Sequence, residues 1–156
     1  MIARARAGVA VLVLGPVLLA GCSSPPSRPS TAALAARYLA IATPANEALD
    51  ASFDALEDAD DDLGGSATLL RNIAATERQF DRELVALKLP AKLGMTAAAL
   101  VRINEARATM TSQAVSASSV ESLQRYETEL DAMNVPVEDQ VRALRKQLAL
   151  PPPATD

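Results

Sequence analysis

The sequence predicts an all-α protein, an antiparallel four-helix bundle with up-down connectivity. Two features of the chain lead there. Hydrophobic residues make up 49% of the 156 residues but aromatics only 3%, so the core has to be built from Leu, Ile, Val, Met and a great deal of Ala. Ala and Leu are strong helix formers, whereas strands favour β-branched and aromatic residues. Apolar residues also recur at three- and four-residue spacing in four long stretches joined by short polar or proline-bearing connections, the pattern of antiparallel neighbours in a bundle. No internal repeat is convincing, and no sustained heptad supports a long coiled coil.

The first helix starts after Ser30 or Thr31, either of which can cap it, and runs to about Asp58 with Leu34, Tyr38, Ile41, Ala45, Leu49, Phe53 and Leu56 on one face. Pro44 lacks an amide proton, so a kink or a short break is expected there. Gly64-Gly65 closes the acidic turn after this helix, and Ser66 is the expected cap of the second, which carries Leu69, Leu70, Ile73, Phe80, Leu84 and Leu87 and stops at Pro90. The third helix spans Ala91 to Ala114 with Leu93, Ala97, Leu100, Ile103 and Met110 inward. Ser118 and Glu121 match a capping box for the fourth, whose stripe is Leu123, Tyr126, Leu130 and Met133, then Val137, Val141, Leu144 and Leu148 beyond Pro136. Pro136 is expected to kink or break it as Pro44 does the first, near a point where the facing helices could diverge. Pro151-Pro152-Pro153 ends the helix, so the bundle domain occupies residues 31-150 and a Pro-rich tail residues 151-156.

Composition narrows the chemistry. There is no histidine and one cysteine. Histidine is the commonest general base and a usual metal ligand, and its absence removes Ser/His and Cys/His nucleophile pairs and the Glu-x-x-His di-iron motif of bundles. No spacing of carboxylates singles out an acid-base pair, and nothing calls for a cofactor. Asp58, Asp60 and Asp62 have the one-three-five spacing of a calcium loop. Leu63 stands where that motif has its turn glycine and Leu69 where it has its bidentate glutamate, so a solvated acidic turn is expected and no metal site.

The N-terminal segment carries the sharpest motif. Arg4 and Arg6 precede an apolar run from Gly8 to Leu19, and Leu19-Ala20-Gly21-Cys22 follows at its end. This is a three-part secretory signal, its apolar part well short of the roughly 20 residues that span a bilayer. Leu-Ala-Gly-Cys resembles the lipobox of bacterial lipoproteins. The resemblance, which covers residues 1 to 22, implies cleavage of residues 1-21 and acylation of Cys22 as an anchor in the cell membrane on its extracytoplasmic side, or in an outer membrane where there is one. Two or three acyl chains hold durably where one does not. Residues 22-30 then form a lipidated Cys and a Ser/Pro tether, extended at about 3 Å per residue. Without Arg4 and Arg6, thirteen basic residues face nineteen acidic ones, a net charge of −6. That balance disfavours nucleic acid as a partner.

Polar residues intrude on the apolar faces at Glu77, Asn104 and Arg107, and at the flank of the fourth helix at Glu127, Asn134 and Arg145. Two arrangements are open. Glu77 and Arg107 neutralise each other inside the bundle with Asn104 filling leftover hydrogen-bond capacity, or they line an interhelical pocket where the guanidinium holds a carboxylate or phosphate. Tyr38 and Tyr126 are expected at the inner rim with wet hydroxyls. The functional expectation is a membrane-anchored protein that acts without catalysis by binding another envelope component. A small-ligand-binding lipoprotein is the alternative, and an enzyme a distant third.

Overall fold

The computed structural model describes residues 29–59 and 62–153. Among them the chain forms four helices and no strand: α1 (Thr31–Asp58), α2 (Leu63–Ala86), α3 (Ala91–Ala114) and α4 (Val120–Gln147). The protein is an all-α four-helix bundle in which α1 packs on α2, α2 on α3 and α3 on α4.

Local chemistry sets the helix starts. Ser30 caps α1, its hydroxyl accepting from the Ala33 amide at 3.2 Å. The start of α2 differs from expectation: Asp62 is the cap, and Gly64 and Gly65 lie in the first turn instead of closing the acidic turn. Asp62 Oδ1 accepts from the Gly64 amide at 3.0 Å, and a Cβ on Gly65 would fall 2.7 Å from Oδ2. The glycines leave room for the carboxylate to fold over the helix end. Ser66 is therefore buried inside the helix. At α4 the capping box falls one residue later than Ser118 and Glu121, on Ser119 and Ser122, while Glu121 stays in the first turn where its charge suits the dipole. Pro44 and Pro136 lie inside unbroken helices, so neither helix is interrupted.

Two apolar clusters fill the bundle. The larger joins Leu34, Tyr38 and Ala42 of α1 to Leu84, Leu87, Ala97, Leu100, Leu144 and Leu148, with Ile41, Val137 and Val141 packed against it. The smaller, at the opposite end, centres on Leu70, Ala114 and Leu123, with Leu56 and Tyr126 alongside. Every fully buried residue of α1 precedes Pro44, and Leu49, Phe53 and Leu56 are only half-buried. Pro136 immediately precedes Val137, so both prolines stand where the shared α1/α4 packing of the larger cluster ends. Tyr38 is inside that cluster, 2% exposed, its ring edge-on to Phe80 at 6.5 Å. It lies deeper than the inner rim expected of it, and burial raises its pKa, against the opposing influence of the neighbouring Arg145. Tyr126 is half-buried, as expected.

Candidate functional site

A polar layer separates the two clusters, built by α2 and α3. Glu77 is 1% exposed and Asp81 5% on α2; Asn104 is 5% exposed on α3. Glu77 and Asp81 are four residues apart, one turn of helix, and so share a face. Arg107 Nη1 approaches Glu77 Oε1 to 2.6 Å. The contact is a charge pair without a well-directed hydrogen bond, since neither Glu77 oxygen nor Arg107 Nε has a hydrogen-bond partner among the described residues. Asn104 Nδ2 donates to Asp81 Oδ1 at 3.0 Å and to the Glu77 carbonyl at 3.3 Å. Asp81 was not recognised from sequence, although its position four beyond Glu77 continues the stripe. Outside this layer, Arg78 fastens the same two helices by pairing with Glu105 at 3.2 Å and donating to Ser112 at 3.0 Å.

Two buried carboxyls thus share one face of α2, Glu77 against the Arg107 guanidinium and Asp81 against the Asn104 amide. Burial pushes Glu77 up to about 7, against the charge of Arg107 and with Asp81 adding to the rise. Asp81 rises to about 6, again chiefly through burial, with the Asn104 hydrogen bond opposing it and Glu105 reinforcing it. Both values lie above those of the unfolded chain, so the folded state binds more protons between about pH 4 and pH 7. The stabilisation is complete below about pH 4 and is lost as pH rises through 6 and 7. We expect urea-unfolding free energies to fall across this window by a few kcal/mol relative to the Glu77→Gln/Asp81→Asn variant. Parallel profiles for the two proteins would show that the buried carboxyls do not titrate as the geometry requires.

Arg107 links this layer to a cleft. Its side chain is 12% exposed, and its guanidinium carbon lies 5.4 Å from the centre of the Phe53 ring, a cation–π contact. The cleft, about 590 Å³, opens between the second half of α1 and the first half of α4, beyond the two prolines. Phe53, Leu56, Leu70, Leu123 and Leu130 supply apolar lining, and Glu57, Glu127, Asp131 and Asn134 polar groups.

The sequence-derived candidates therefore divide. Glu77, Asn104 and Arg107 come together between α2 and α3. Glu127 and Asn134 share the cleft with Arg107, but Glu77 does not line it. Both arrangements left open by sequence are partly realised: the ion pair forms, and its arginine also reaches a cavity. Arg145 belongs to neither; its Nε donates to the Pro151 carbonyl at 2.7 Å and ties down the tail. In the acidic turn, Asp58 ends α1, Asp62 is engaged as a cap, and Asp60 lies outside the described residues, as do Leu19, Ala20, Gly21 and Cys22.

The site thus defines a helical bundle with a polar interior layer and a lateral cleft. No protein-family model matches the chain, and no curated protein or solved structure matches it either.

Proposed function

We propose that this chain is a lipid-anchored extracytoplasmic protein that acts without catalysis and holds a second component of the cell envelope in the α1/α4 cleft. The observation that carries the reading is the cleft itself, where α1 and α4, which share the larger apolar cluster at one end, leave an opening at the other lined by apolar and polar side chains. The anchor rests on the sequence, on Leu19-Ala20-Gly21-Cys22 after its apolar run. No helix among the described residues is long and apolar enough to cross a membrane. The cleft volume, within the range of small-molecule sites, favours a second reading, a lipoprotein that binds a small ligand.

A photo-crosslinking residue at Gln124, in the cleft lining, tests the reading in the native envelope against one at Ala32, an exposed site on α1. Capture of a specific protein from Gln124 alone supports the first reading, and a small molecule adduct from Gln124 alone the second. Equal capture from both positions overturns the cleft as the binding site. Cys22→Ser is expected to leave an unprocessed, unacylated chain that no longer fractionates with the membrane, with the bundle's far-UV spectrum unchanged. Mass spectrometry finding no lipid on wild-type Cys22 would refute the anchor.

A further inference from the structure

The charges flanking the cleft are strongly one-sided. Between Ala45 and Asp58, α1 carries Glu47, Asp50, Asp54, Glu57 and Asp58 and no Lys or Arg; between Val120 and Val135, α4 carries Glu121, Glu127, Glu129 and Asp131 against Arg125 alone. The cation on the floor, Arg107, is already tied to Glu77. Glu57, Glu127 and Asp131, which line the cleft, pair with no Lys or Arg among the described residues. Carboxylates therefore stand on both helical walls, Glu57 on α1 and Glu127 and Asp131 on α4, among the apolar side chains of Phe53, Leu56, Leu123 and Leu130, and the cleft follows α4 from Val120 to Asn134, about 20 Å at 1.5 Å per helical residue.

We propose that the cleft receives a basic amphipathic helix of a partner protein, packed as a fifth helix between α1 and α4. This rests on the cleft-binding reading and names the partner's chemistry. Leu or similar residues at three- and four-residue spacing enter over Phe53, Leu56, Leu123 and Leu130, and Lys or Arg on either flank meet the two acidic walls, as flanking charges do in coiled coils. A small organic cation would neutralise one wall position and leave the rest of the groove unmatched. An anionic lipid surface is repelled by the same carboxylates.

The test uses the full chain in nanodiscs of zwitterionic lipid, with methyl NMR signals of Leu56, Leu123 and Leu130 as the readout. The probes are synthetic amphipathic peptides of about fourteen residues, long enough for the groove, one of Leu and Lys and one of Leu and Glu in the same pattern. The Leu/Lys peptide is expected to shift these signals, and to bind about tenfold or more weakly to Glu57→Gln/Glu127→Gln/Asp131→Asn and in about 0.5 M salt. The Leu/Glu peptide is expected to leave them unmoved. Equal binding of the Leu/Lys peptide to the triple variant overturns the proposal. So does occupancy by tetraphenylphosphonium in place of the peptide, or a shift on raising the chain's own concentration, which would assign the groove to a second copy. Binding of the Leu/Glu peptide there sinks the basic partner but leaves the cleft as a binding site. If no probe and no second copy reaches these methyls, the cleft-binding reading falls with the proposal.

Discussion

Arg107→Ala is expected to destabilise the bundle by about 3 kcal/mol at pH 8, about half because Glu77, 1% exposed, loses its counter-charge and must take up a proton, and about half through lost stacking and packing. The size of the loss depends on pH in a way that identifies its cause. At pH 8 Glu77, with its pKa near 7, is ionised in the wild type and relies on the guanidinium. At pH 5 it is protonated with or without Arg107, so the same substitution loses mainly the stacking on Phe53 and the packing of the side-chain stem. Urea unfolding at the two pH values, with Glu77→Gln as the second arm of a double-mutant cycle, separates these contributions. A change within about 0.5 kcal/mol at both pH values would place Arg107 functionally at the surface.

Leu144→Ala is expected to cost about 3 kcal/mol, on the order of 10 °C in Tm, independent of pH. Leu144 is fully buried and belongs to the larger cluster together with Tyr38, Leu84 and Leu100. Truncation removes its transfer energy and leaves a void between helices that Ala-rich contacts already bring close. Met95→Ala, at a side chain 69% exposed, serves as the control and is expected to change stability by less than about 0.5 kcal/mol. Thermal melts of the two variants side by side check the contrast. A Leu144→Ala protein as stable as Met95→Ala would mean that α4 is not docked as described.

The four helices were readable because periodicity, proline stops and polar connections all agree; the expected limits of α3 match the observed ones at both ends. The errors lie where a short polar side chain has a choice. Ser66 and Asp62 are both good caps, and Asp62 prevails because two glycines let its carboxylate turn back over the helix end. Ser118 and Ser119 differ by one residue, and the reciprocal partner proved to be Ser122, not Glu121. In α3 the buried stripe includes Ala108 and Thr111, while Ile103 and Met110 are half-buried. Hydrophobicity alone misjudges that rotation, because close helix approach selects small residues over large ones.

At the site, Glu77, Asn104 and Arg107 stood out as polar residues on apolar faces, and burial and pairing followed. Asp81 did not, since an acidic residue one turn from another reads as the start of a solvated surface. The cleft was unreadable for a different reason. Phe53 and Leu56 continue the stripe of Leu34 and Tyr38 without a change of spacing, and only the relative path of α1 and α4 decides that the first two are half covered while the others are buried.

The even number of helices brings Ser30 and Leu150 to one end of the bundle, where Leu34, Leu148 and Leu150 pack within the same cluster. A circular permutant follows from this. Joining the tail to Ser30 by a short linker and opening the chain in the connection between Ala114 and Val120 keeps all four helices intact, because the cut falls outside them. Its new termini emerge beside the cleft instead of opposite it. Under the anchoring proposed for Cys22, moving the cysteine-bearing segment to the new N-terminus would invert the domain relative to its attachment, so that the permutant would present the groove toward the lipid.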